Sequence, residues 1–167
     1  MIIGLSLSAF TTLHVVLSLI GIVAGSVVVL GMLGARRLPG WTALFLLTTI
    51  LTSVTGLLFP FSSLLPSHVV AIISLIVLAL AVLALYVFQL EGIWRWVYVL
   101  GAIIALYLNV FVGVVQAFQK IAFLQPLSPT QSEPPFLIAQ LAVLAVFLLL
   151  GVWAIRSFYP TQRLATP

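Results

Sequence analysis

TTLHVVLSLIGIVAGSVVVLGMLG occupies residues 11–34 and carries no formally charged side chain. As a helix it would be about 36 Å long at 1.5 Å per residue, enough to cross a hydrocarbon core of about 30 Å. Four further runs of the same kind lie at about 41–59, 68–89, 96–118 and 135–156. Charges, prolines and polar clusters fall between them. Arg36-Arg37-Leu38-Pro39-Gly40 makes the first break, and residues 61–67, with Pro66 and three serines, make the second. Gln89-Leu90-Glu91-Gly92 makes the third, and residues 121–134, with Pro126, Pro129 and Pro134, make the fourth. Trp41 and the group Trp94-Arg95-Trp96 with Tyr98 stand at run ends, where amphipathic rings and a snorkelling cation suit the membrane–water boundary. The expected fold is all-α. It is a single domain over residues 1–167, a bundle of about five transmembrane helices, with 121–134 as a proline-rich external segment.

Composition excludes the alternatives. Of the 167 residues 64% are hydrophobic and only 5% charged, whereas soluble domains are about a quarter charged. Too much apolar surface is present for a disordered chain. Cysteine and aspartate are absent, which removes disulfides, thiolate metal sites, cysteine nucleophiles and intramembrane aspartyl chemistry. The net charge of +4 comes from five arginines and one lysine at the ends of apolar runs. Such scatter sets orientation and forms no nucleic-acid footprint.

Orientation follows from where the cations fall. With five spans, Arg36, Arg37, Arg95, Arg156 and Arg163 share one side and Lys120 alone takes the other. The positive-inside rule then places the N-terminus outside and the C-terminus inside. Met1-Ile2-Ile3-Gly4 has no basic n-region, so the first run is expected to be a retained span rather than a cleavable signal peptide.

Helical spacing sorts the remaining polar residues. Thr11, His14, Ser18, Gly21 and Gly25 recur at three and four, one stripe of a helix. Gly21 and Gly25 form a GxxxG, a pattern of close helix approach, here expected to act within the chain rather than in a homodimer. Thr48, Thr49, Thr52, Ser53 and Thr55 cover a broad face of the second span; each can bond a carbonyl one turn back, and a polar pathway is the sharper reading. Asn109, Gly113, Gln116 and Lys120 form another stripe, and Glu133 and Gln140 stand seven apart. Thr130 and Glu133 have capping-box spacing. In the N-out arrangement His14, His68, Asn109, Gln116, Lys120, Glu133 and Gln140 all tend toward the outer end, and together they are the candidate ligand-binding set.

Three functional classes fit. The first is a non-enzymatic membrane protein, a small subunit of a larger complex or a homo-oligomer with a polar pocket at the outer face. The second is a redox module holding a b-type haem between His14 and His68, or a quinone. The third is a small transporter or channel using the threonine face and the Asn109–Lys120 stripe. Zinc spacings such as HExxH and the GxSxG nucleophile elbow are missing, so no catalytic residue is assigned. The partners expected are the lipid bilayer, other membrane subunits or further copies of the chain.

The stretches Thr11-Thr12-Leu13-His14, Leu44-Phe45-Leu46, Thr52-Ser53-Val54-Thr55-Gly56, Phe59-Pro60, Trp94-Arg95-Trp96-Val97-Tyr98, Leu106-Tyr107-Leu108-Asn109-Val110-Phe111 and Gln131-Ser132-Glu133-Pro134-Pro135-Phe136 resemble a group of small bacterial multi-spanning membrane proteins. The resemblance extends over most of the chain. It implies a multi-pass protein of the bacterial inner membrane, and it carries over no catalytic or binding residue.

Overall fold

The computed structural model describes residues 4–59 and 66–159; Arg163 and Pro60 lie outside them. Five helices are long and apolar enough to cross a membrane. They are α1 (Leu7–Leu33), α2 (Pro39–Leu57), α3 (Pro66–Val82, which reaches spanning length together with the turn Leu83–Val87 that continues it), α4 (Trp94–Lys120) and α5 (Pro134–Ser157). No strand occurs among the described residues. A helix of sufficient length and apolarity lies at each of the five expected runs, with ends displaced by a few residues.

Local chemistry sets those ends. Ser6 accepts a hydrogen bond from the Ala9 amide at 3.2 Å, so α1 begins four residues before the charge-free run. Pro39 and Pro134 open α2 and α5, where a missing N–H costs nothing in hydrogen bonding. The third span changes character before it stops: Leu83–Val87 continues α3 as a π-helical turn. Gln89, Leu90 and Gly92 then adopt positive φ, and Phe88 stacks on Trp94 at 3.7 Å with the rings 4° apart. That corner reverses the chain into α4.

Consecutive helices alternate in direction. α1 packs on α2, α4 and α5; α3 packs on α2 and α4; α5 packs on α4 and α1. Small residues permit the close approaches. A side chain at Gly25 would meet Leu106 and Phe45 at 2.7 Å, and one at Gly101 would meet the Ala81 Cβ at 3.0 Å. The GxxxG therefore faces α2 and α4 of its own chain. Phe45, Leu78, Val99, Ala102 and Ala105 are fully buried around these contacts.

The bundle has two distinct ends. Arg36, Arg37, Arg95 and Arg156 gather at one, where α1 and α3 finish and α4 begins. Lys120 lies at the other, with the starts of α1, α3 and α5. We call these the arginine end and the lysine end.

Candidate functional site

At the lysine end, His14 points into the α1–α2 interface. Its Nδ1 lies 2.8 Å from Thr55 Oγ1, and the Thr55 hydroxyl also reaches the Leu51 carbonyl at 2.7 Å. A hydroxyl has one proton, and that carbonyl takes it. Nδ1–H of His14 is then the donor to Thr55, leaving the ring's lone pair on Nε2. Phe59 packs edge-on against the imidazole, with ring centres 5.3 Å apart. Lys120 lies close enough for its charge to act on this ring. His68 is buried in the first turn of α3.

The other candidates occupy separate places. Gln116 and Lys120 are exposed. Gln140 is buried between α5 and α4, with its Nε2 donating to the Phe111 carbonyl at 3.2 Å. Glu133 folds back onto the loop that precedes α5. Its carboxylate accepts from Ser128 Oγ at 2.5 Å, Thr130 N at 3.1 Å, Thr130 Oγ1 at 2.8 Å and Ser132 N at 3.1 Å. The Thr130–Glu133 pairing exists, but Glu133 is itself the N-cap of α5, so the contact organises the loop rather than forming a capping box.

The hydrogen bond from Ser128, followed by those from Thr130 and the backbone, pulls the Glu133 carboxyl down to about 2 from 4.5. A depressed carboxyl pKa gives stability that is full above the unfolded value and lost as pH falls through the folded one. The loop is therefore expected to hold its structure through mild acid and loosen between pH 4.5 and 2. A carboxyl NMR titration of Glu133 in detergent should show a midpoint near 2; a midpoint near 4.5 would contradict the network.

Midway along the bundle, the α2 hydroxyls mostly bond their own helix. Thr48, Thr52 and Ser53 donate to carbonyls one turn back at 2.7–3.0 Å, and Ser53 also reaches Ser74 of α3 at 3.1 Å. Thr49 differs: its Oγ1 is buried without a hydrogen-bond partner, as is Asn109 Nδ2. Both approach Gly21, at 3.1 and 3.0 Å from the position its Cβ would take. Thr49→Val keeps the shape and removes a buried unsatisfied hydroxyl, so it is expected to stabilise by about 1 kcal/mol. Thr55→Val breaks the His14 bond and is expected to destabilise by about 0.6–1.7 kcal/mol. Chemical unfolding in mixed micelles reads both, and equal shifts would refute the distinction.

The arginine end holds a cavity of about 50 Å³. Its floor is apolar, formed by Val28, Met32, Leu85 and Phe158, and its polar wall is Arg36, Arg37, Thr42, Tyr86 and Tyr98. Thr42 and Tyr98 face each other with 3.4 Å between hydroxyls. Tyr98 is buried, and Tyr86 belongs to the π-helical turn. Sequence reasoning assigned the two arginines to orientation only and did not include Thr42, Tyr86 or Tyr98 in a site. The available signal was a tyrosine on each side of the Gln89–Gly92 link, at the arginine-bearing end.

Against known proteins the chain matches no family model, no curated protein and no solved structure, so the geometry of these groups carries the functional argument.

Proposed function

We propose that this chain is a non-enzymatic, multi-pass subunit of a bacterial inner-membrane assembly, formed with other membrane chains or with copies of itself, N-out and C-in. The observation that carries the reading is the employment of its reactive side chains. His14 is tied to Thr55 through Nδ1, Glu133 is saturated by its own loop, and four of the α2 hydroxyls bond their own backbone. These groups hold helices and loops in place. α5 adds a surface suited to association. Only 17% of its apolar window is buried, against 33–39% for the other four helices. Leu141, Leu148, Leu149, Val152 and Trp153 face outward from it.

Native mass spectrometry of the chain extracted in mild detergent tests the proposal. Masses at whole multiples of 18.0 kDa, or stoichiometric complexes with another polypeptide, support it. A lone monomer with turnover of its own overturns it. Orientation is testable in the same preparation, because the chain has no cysteine. Single cysteines beside Arg36 and beside Lys120 should be labelled from opposite faces, the first from the cytoplasmic side.

A small transporter or channel is the second reading, favoured by the pair of unpartnered polar atoms at Gly21. Thr49 belongs to a series of polar α2 positions from Thr42 to Thr55, with Asn109 facing Gly21 from α4, and the series is interrupted by fully buried Phe45, which packs at Gly25 beside Leu106. On that reading Phe45→Ala raises ion flux in liposomes; flux equal to empty vesicles for parent and variant rejects it.

A further inference from the structure

The arginine-end cavity combines groups that orientation alone does not require. Any exposed cation near the cytoplasmic face satisfies the positive-inside rule; Arg36, Arg37 and Arg156 are all exposed, and Arg156, in the last turn of α5, lies outside the cavity lining. Arg36 and Arg37 instead line a cavity with two tyrosines and a threonine. Among the described residues neither guanidinium has a hydrogen-bond acceptor or an ion-pair partner. The start of α2 adjoins the same space: Leu38 and Pro39 line it, and no side chain caps that helix. Its first N–H groups and the positive end of its dipole therefore face an uncapped boundary.

We propose that this cavity binds the phosphate group of an anionic phospholipid. Guanidinium forks match phosphate oxygens in geometry and charge, and an uncapped helix N-terminus adds donors of the same polarity. Tyr98, a residue only 3% exposed, supplies a fixed hydroxyl donor in the polar wall and is engaged only by the long Thr42 contact. The cavity exceeds the roughly 10–15 Å³ that one water needs, yet it is too small for an acyl chain. Only the headgroup enters. The chains have a surface to lie on, because Leu83 and Val87 flank Tyr86 on α3 and its π-helical turn and are exposed. A basic pocket between spans at the membrane face is a recurrent way to hold an anionic headgroup.

The test uses the purified full chain, delipidated in mild detergent. Phosphatidylglycerol, phosphatidylcholine and inorganic phosphate are titrated in turn, with native mass spectrometry as the readout. One phosphatidylglycerol should be retained per chain, about tenfold more strongly than phosphatidylcholine. Arg36→Gln/Arg37→Gln should abolish this preference, and Arg156→Gln should leave it unchanged. Tyr98→Phe keeps all the charges and should weaken retention several-fold; it carries the test if the double variant fails to fold by circular dichroism. Failure of millimolar inorganic phosphate to compete assigns the site to the lipid. Displacement of the lipid by phosphate upholds the phosphate chemistry and extends it to the free anion. Equal retention of the two lipids by the parent overturns the proposal, as does undiminished preference in a folded Tyr98→Phe or double variant.

Discussion

Gly25→Val is expected to lower the stability of the bundle by about 3 kcal/mol, or to prevent its closure altogether. The reason is geometric. A β-carbon alone at this position would lie 2.7 Å from Leu106 Cδ1 and from the Phe45 ring, well inside van der Waals contact. Phe45 is 0% exposed and Leu106 only 2%, so neither can swing outward without opening a void among its neighbours. Overpacking of this kind costs about 1–3 kcal/mol and occasionally more. In a bilayer the loss is felt directly, because helices that cannot touch have no hydrophobic drive to stay together. Gly40→Ala is the matched control: nothing lies within 4 Å of the added carbon, and its melting temperature in detergent should be unchanged or slightly raised. A Gly25→Val protein that melts with the parent would show that α1 does not approach α2 and α4 as described.

The same glycine shows how far the sequence could be read. Five apolar runs of about twenty residues place five helices, because hydrocarbon thickness admits little else. The spacing of Gly21 and Gly25 gives a close-packing face, and two helices do meet it. Spacing says which residues share a face of one helix, but not where the neighbouring helices end. Asn109, Gln116 and Lys120 are on one stripe of α4, yet the stripe passes from half-buried Asn109 to exposed Gln116 and Lys120. The last turns of α4 are covered on the side of Phe118, which is buried against Phe136 of α5, and not on the side of Gln116 and Lys120. The arginine-end cavity depends on the π-helical turn that carries Tyr86 and on the corner at Gln89–Gly92. Such turns come from tertiary packing, and no period in the sequence announces them. Arg95, expected to set orientation, has contacts that spacing did not reveal, since a charge at a helix end can do more than orient.

Arg95→Gln is expected to cost about 1.5–3 kcal/mol, the range for hydrogen bonds from a charged group. The Arg95 Nη1 donates to the Phe158 carbonyl at 2.8 Å and to that of Ile155 at 3.2 Å. Those carbonyls sit at the C-terminal end of α5, where the helix leaves acceptors unpaired and carries partial negative charge. The guanidinium also lies 4.0 Å from the centre of the Tyr159 ring. One side chain at the start of α4 thus fastens the end of α5, the helix least buried in the bundle. Arg95→Lys separates this role from orientation. It preserves the cation that the positive-inside rule counts, so cysteine labelling should show unchanged topology. An ammonium on a flexible stem does not reproduce the planar donor array over a ring and a helix end, so the lysine variant should recover less than half of the stability lost in Arg95→Gln. If lysine melted with the parent, charge alone would suffice at this position and the carbonyl contacts would contribute nothing measurable. If it melted with glutamine while inserting correctly, the arginine would be needed to fasten α5 and its positive charge would be dispensable for stability.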